Sequence, residues 1–177
     1  MQPVFITPVQ LPMLNTLVQL EQQTFTETFG NTYQPEDLAA FLQAGKSAAA
    51  LQQELQTPGS LYYLLYYNGT PAGFIKLNLG KQPDDAAHTR LPAPVMELEK
   101  IYVLQAFHGH KLGKALIQHA YAVAREHQVA TIWLGVWEHN TRARRFYEHE
   151  GFEKFGEHPF KVGSQLDTDW LMKKAVS

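Results

Sequence analysis

The chain reads as an α/β protein with helices packed on a mixed sheet, and three observations carry that reading. From Val95 onward the pattern runs strand, loop, helix, strand, helix and then two closing strands. Before it, two β-rich runs are joined by Asn68-Gly69, a pair suited to the positive φ angles of a two-residue hairpin. The first third carries apolar residues at helical spacing. With 177 residues, 45% of them hydrophobic, the length suits one domain, 1–177, with a sizeable core. No linker, internal repeat or low-complexity tract divides it.

Taken in order, Val4 to Thr7 predicts a short first strand. Leu14, Leu17, Val18, Leu20 and Phe25 predict a helix from Leu11 to about Phe29. Pro35-Glu36-Asp37 opens a second helix, because proline suits the first turn and acids favour its positive end. Leu38, Phe41 and Leu42 are its apolar face. A third helix runs from Ala48 to Leu55 and stops near Thr57-Pro58-Gly59. Leu61 to Tyr67 and Ala72 to Leu79 are the hairpin strands. Lys81 to Pro94 is polar and loop-like, and two readings stand for it: a lid over a binding site, or a plain surface connection. Thr131 to Trp137 is a strand, with Trp133 and Trp137 on one face. Asn140 to Glu150 is a helix, with Asn140 a good N-cap and Gly151 fitting the left-handed position after its end.

The segment from Leu98 to Ala124 is the most informative. It reads as a buried strand, a glycine-containing loop and a helix opening at about Lys111. A helix N-terminus presents unsatisfied N–H groups and the positive end of the dipole, which suits a phosphate or pyrophosphate. Gly109 and Gly113 let the backbone approach such an anion, and Lys111 and Lys114 add positive charge. The loop is neither a P-loop nor a dinucleotide fingerprint, since GxxxxGK[ST] and GxGxxG are both absent. A phosphate-bearing cofactor is the expectation.

Two motifs together resemble the GCN5-related N-acetyltransferases. The coenzyme A loop of that family reads Q/R-x-x-G-x-G/A, and the matching segment is His108-Gly109-His110-Lys111-Leu112-Gly113. Only Gly113 fills a signature position; His108 replaces Gln or Arg, and Lys111 replaces the first glycine. Downstream, Asn140, Ala143, Phe146, Tyr147, Gly151 and Phe152 fall in register with N-x-x-A-x-x-F-Y-x-x-x-G-F. The segment from Gly163 to Met172 is similar to the closing strand of the PaiA-like subgroup, which includes polyamine acetyltransferases.

The resemblance implies a mixed, mostly antiparallel sheet flanked by helices, with a splayed strand pair that binds acetyl-CoA. It implies acetyl transfer from acetyl-CoA directly to a primary amine in a ternary complex, the amine belonging to a polyamine, an amino acid or a peptide. Ile101, Tyr102 and Val103 then offer free backbone groups to pantetheine, and the Val103 N–H supports the thioester carbonyl oxygen. His108, Gly109, His110, Lys111, Leu112, Gly113 and Lys114 form the pyrophosphate loop, with Asn140 against the pantetheine arm. Lys111 in place of glycine loses conformational freedom, and a negative φ there would keep its amide aimed at the anion. Tyr147 lies near the coenzyme sulfur as general acid, although helical spacing with Ala143 and Phe146 also suits a core position.

Glu99 is the candidate general base. Strand alternation places Glu97, Glu99 and Ile101 on one face and Leu98, Lys100 and Tyr102 on the other. A solvated acid is the competing reading. Phe25, Phe29 and Tyr33 are expected as apolar walls of the acceptor pocket, with Glu21, Glu27, Glu36 and Asp37 supplying charge for a polyamine.

Composition narrows the alternatives. A net charge of −2 gives no long-range pull toward nucleic acid or anionic membrane, and no basic recognition helix stands out. The absence of cysteine excludes disulfides, thiolate catalysis and zinc–thiolate sites. The eight histidines show no metal-ligand spacing, so no metal is expected. The start, MQPVFITPVQ, lacks the pattern of a signal peptide, and no window is apolar enough to span a bilayer; a cytoplasmic location is expected. Homodimerisation is left open. A non-catalytic acyl-CoA-binding regulatory module is the alternative function.

Overall fold

Seven strands form one sheet, in the order β1-β2-β3-β4-β5-β7-β6. The structure is a computed structural model and describes residues 3–84 and 90–176. The strands are β1 (Val4–Pro8), β2 (Ser60–Tyr67), β3 (Thr70–Leu79), β4 (Val95–Val103), β5 (Thr131–Trp137), β6 (Glu153–Val162) and β7 (Gln165–Ala175). The helices are α1 (Leu14–Phe29), α2 (Pro35–Gly45), α3 (Ala48–Gln56), α4 (Leu112–Glu126) and α5 (Thr141–His149). Every neighbouring pair is antiparallel except β4–β5, whose connection passes through α4. The mixed sheet is therefore mostly antiparallel, as the resemblance implies.

Local chemistry accounts for the turns. Asn68 and Gly69 both take positive φ, 49° and 81°, and close the β2–β3 hairpin with Tyr67 opposite Thr70. The Ser47 hydroxyl caps α3 by accepting the Ala50 N–H, and Asn140 caps α5 by accepting the Ala143 N–H at 3.2 Å. Gly151 follows α5 with φ 96°. Of the loop expected from Lys81 to Pro94, residues 85–89 lie outside the described residues.

Two cores sandwich the sheet. On one face, Leu112, Leu116, Ile117 and Ala120 of α4 bury against Leu77, Met96, Leu98, Ile132 and Leu134. Burying each such side chain contributes about 1.5–3 kcal/mol. On the other, Leu17 and Leu20 of α1 and Leu51 of α3 pack on Leu64 and Phe74. A third cluster, Phe25, Phe29, Tyr33 and Val162, ties the end of α1 to the β6–β7 hairpin.

The expected alternation along β4 is broken. Lys76 of β3 stands opposite Lys100, while Leu77 stands opposite Leu98, so Glu99 is the extra residue of a β-bulge. Met96, Leu98, Ile101 and Val103 serve the α4-side core, and Tyr102 serves the α1-side core. Glu99 shares the α1 and α3 face with Glu97 and Lys100, because all three meet partners there: Asn78, Lys76 and Glu54. Glu99 thus does not share a face with Ile101.

Candidate active site

A gap in the sheet organises the site. β4 pairs with β3 as far as Val103, yet pairs with β5 only at Val95–Thr131, Met96–Ile132 and Glu97–Trp133. Beyond Glu97 the two strands part, leaving the β5-facing backbone of Ile101 and Val103 outside that ladder, while the Tyr102 carbonyl faces β3. Two cavities, of about 670 and 390 Å³, meet at the opening. Both are bounded by Ile101, Tyr102, Trp137, Asn140, Ala143 and Tyr147.

The larger cleft runs from the gap to the N-terminus of α4. It is lined by Ile101, Tyr102 and Val103, by the loop residues His108, Gly109, Lys111, Leu112, Gly113 and Lys114, and by Asn140 and Tyr147. Lys111 does not take a negative φ: it is the N-cap of α4 in the left-handed conformation, φ 59°. This is a conformation that glycine adopts readily and a lysine does not. A side chain on Gly109 would meet no atom within 4 Å, and one on Gly113 only the Phe146 ring at 4.0 Å, so the loop leaves open space.

His108 is held at both ring nitrogens. Nε2 lies 2.9 Å from the Val103 carbonyl oxygen, and Nδ1 lies 2.7 Å from Arg142 Nη1. An arginine only donates, so Nδ1 accepts, and Nε2 carries the proton given to Val103. His108 is thereby fixed as one neutral tautomer. His110 does not line the cleft: its ring packs on Tyr67, centroids 4.8 Å apart, with Nδ1 3.3 Å from the Tyr67 hydroxyl. Lys114 lines the cleft while its ammonium donates to Glu150.

Tyr147 reaches both cavities from α5. It is 6% exposed and packs edge-on against Phe146 and Phe152. Burial, with Tyr102 and Tyr121 nearby, pushes its phenol well above the ordinary range, so the hydroxyl stays protonated.

The smaller cavity lies over the α1 side of the sheet. Phe25, Phe29, Phe41, Trp133 and Trp137 form an aromatic wall. Beneath it runs a buried ionic network. Glu21 is fully buried and its Oε2 takes Lys100 at 2.7 Å and Lys46 at 3.5 Å. Lys100 also donates to the Tyr62 hydroxyl and to Glu54. Lys76 joins Glu54 to Glu99. Burial pulls the Glu99 carboxyl up, but Lys76, Lys100 and the Asn78 amide outweigh it, and the group is held below the usual carboxylate range. Burial pushes Glu97 up, against the donors Asn78 and Lys81. Burial also lowers the Lys46 ammonium, against Glu21.

The acids expected to hold a polyamine do not line this cavity. Glu21 is consumed by the network, Glu27 lines the larger cleft and accepts the Gln105 N–H at 3.1 Å, Asp37 meets the Ser164 hydroxyl, and Glu36 is exposed. Phe25 and Phe29 do line it, with Tyr33 adjacent and donating to Asp167 at 3.0 Å. Arg142 of α5 lines the larger cleft, and Lys46 and Asp169 enter the smaller one without a sequence signal. Among the described residues, no group of three or more His, Asp or Glu is arranged to hold a metal ion. No helix among them is long and apolar enough to cross a membrane.

Residues 14–152 match the acetyltransferase (GNAT) family, and the chain belongs to that family of N-acetyltransferases. An uncharacterized N-acetyltransferase in the pepI 3′ region of Lactobacillus delbrueckii subsp. lactis is 38% identical over 176 residues, 99% of each chain. Yeast (Saccharomyces cerevisiae) N-alpha-acetyltransferase 40 is 34% identical over 110 residues, 56% of this chain and 38% of that protein. Among solved structures, the PaiA N-acetyltransferase from Thermoplasma acidophilum in complex with coenzyme A superposes with TM-score 0.77 at 21% identity, covering 98% and 99% of the two chains.

Proposed function

We propose that residues 1–177 form one acetyltransferase unit that moves an acetyl group from acetyl-CoA directly to an α-amine, that of a peptide or an amino acid. The observation that carries this reading is the meeting of two cavities at the β4–β5 gap, with Tyr147 in the wall of both. The larger cleft fits a coenzyme: free strand backbone at one end, open space over Gly109 and Gly113 at the other, and α4 aimed at a diphosphate. Arg142 and Lys111 supply charge beside that position.

Bound acetyl-CoA supplies an activated acetyl thioester. The chain's own residues do the rest: the Val103 N–H supports the carbonyl oxygen, and the Tyr147 hydroxyl donates a proton to the departing sulfur. Of the acceptor classes that the resemblance implies, a polyamine loses the support of the acids expected to hold it, since Glu21, Glu27, Glu36 and Asp37 do not line the smaller cavity. The aromatic wall suits a side chain beside an α-amine, and the likeness to an N-alpha-acetyltransferase points the same way.

The test is free-thiol release from acetyl-CoA across short peptides of varied N-terminal residue, amino acids and spermidine. Release with peptides or amino acids, and about 100-fold slower in Tyr147→Phe, is the expected result. Release with spermidine alone moves the acceptor to the polyamine class. Coenzyme A binding without release in any case leaves the regulatory acyl-CoA-binding reading.

A further inference from the structure

We infer that Asp169, on β7, receives the proton of the acceptor ammonium, while Glu99 is a fixed counter-charge for the buried lysines. The inference rests on the proposed function and adds the proton path of the same site.

Position along the sheet distinguishes the three acids in the smaller cavity. Asp169 pairs with Trp137, the last residue of β5 and part of the wall common to both cavities. Its Oδ2 lies over Gly135, where an added side-chain carbon would stand 3.4 Å away. The carboxylate therefore packs beside the bare backbone of Gly135, on the cavity floor near the gap. Glu97 pairs with Trp133, four residues further back along β5, which is about 13 Å. Glu99 is already bound by Lys76, Lys100 and Asn78. A carboxylate saturated by cations and held ionised is a poor acceptor for another proton.

The electrostatics agree with the geometry. Burial, with Asp167 on the same strand, pushes Asp169 up to about 6, against the lowering effect of His158 on β6. From the neighbouring elements, burial raises the phenols of Tyr33 and Tyr102 above their ordinary value, Asp167 adds to it at Tyr33 and Glu21 at Tyr102, and the charge of Asp169 contributes to both. Lys46, Lys81, Lys100 and Asp84 complete the ionisable groups of that cavity besides Glu97, Glu99 and Tyr147. A peptide α-ammonium, with pKa about 7.7–8.0, lies within about two units of Asp169, whereas an alkylammonium near 10.4 lies more than four away. The same carboxyl thus favours a peptide α-amine within the proposed acceptor class.

The protons balance. The ammonium gives one proton to Asp169, and the freed nitrogen lone pair bonds to the acetyl carbonyl carbon as the C–S bond breaks. Tyr147 protonates the departing sulfur and recovers a proton from the new amide nitrogen. Asp169 then returns its proton to solvent through the cavity mouth.

The experiment compares Asp169→Asn with Glu99→Gln and Glu97→Gln. Asp169→Asn is expected to lower kcat/KM about 100-fold or more and to abolish the acid limb near pH 6, with coenzyme A affinity by calorimetry unchanged. Glu99→Gln is expected to retain that limb. A second readout needs no substrate: the side-chain carboxyl ¹³C resonance absent from the Asp169→Asn spectrum should titrate with a midpoint near 6. A midpoint below about 4.5, or loss of the acid limb in either glutamate variant while Asp169→Asn keeps it, overturns the inference. If the wild type acetylates no amine, the function reading fails, and the carboxyl titration still decides whether Asp169 is poised to carry a proton.

Discussion

The two cavities that meet at the β4–β5 gap are built from different materials. The larger cleft is made largely of backbone: parted strand groups, a left-handed loop residue and the end of α4. The smaller cavity is made of side chains: an aromatic wall set on a closed network of glutamates and lysines. Backbone recognition tolerates changes of residue type, so His108 and Lys111 stand where the family motif has other residues. A side-chain network tolerates far less, because each buried charge depends on its partner.

The largest test of that contrast is Lys100→Met. It leaves the fully buried Glu21 carboxylate with Lys46 at 3.5 Å and the Tyr62 hydroxyl at 3.4 Å. Breaking a buried pair costs about 3–5 kcal/mol, which lowers Tm by about 10 °C at this chain length. Replacement of the α5 side chain at Arg142, which lines the larger cleft, by alanine, measured in the same thermal scan, should cost about 0.5 kcal/mol or less.

A smaller effect separates stability from function on the acceptor side. The folded pKa of Asp169 lies above its unfolded value, so between about pH 4 and 6 the folded chain binds more protons. Stability from this group therefore falls as pH rises through that window, and ionised Asp169 is a liability at pH 7. Asp169→Asn should raise stability at pH 7 by about 1–2 kcal/mol and lose that advantage near pH 4, as urea melts at the two pH values will show.

Another small effect belongs to the backbone-built side. Lys111→Gly should stabilise the fold by about 0.5–1 kcal/mol in urea melts, because the left-handed conformation strains a lysine and not a glycine. Unchanged stability would mean that the lysine side chain makes a compensating interaction across the loop.

How much was legible in sequence follows the same division. Helices α1, α4 and α5, the Asn68-Gly69 hairpin and the Asn140 cap were readable because periodicity and cap chemistry are local. The loop residues of the larger cleft came in one stretch, so a motif could find them. The face of Glu99 was not readable, since strand alternation holds only without a bulge, and the bulge is set by pairing with β3. Lys46 and Asp169 sit in distant parts of the chain, and only the fold brings them to the site. His110 looked equivalent to His108, yet a Tyr67 on another strand turned it away.

The short run of parallel pairing has a mechanical side. Among the described residues, three residue pairs make up the strand ladder between a four-stranded plate, β1 to β4, and a three-stranded plate, β5 to β7. A molecule seated in the gap touches both plates and acts as a rivet across the slit. Occupancy should then slow amide hydrogen exchange on both banks at once, and the sheet should stiffen where its lacing is thinnest.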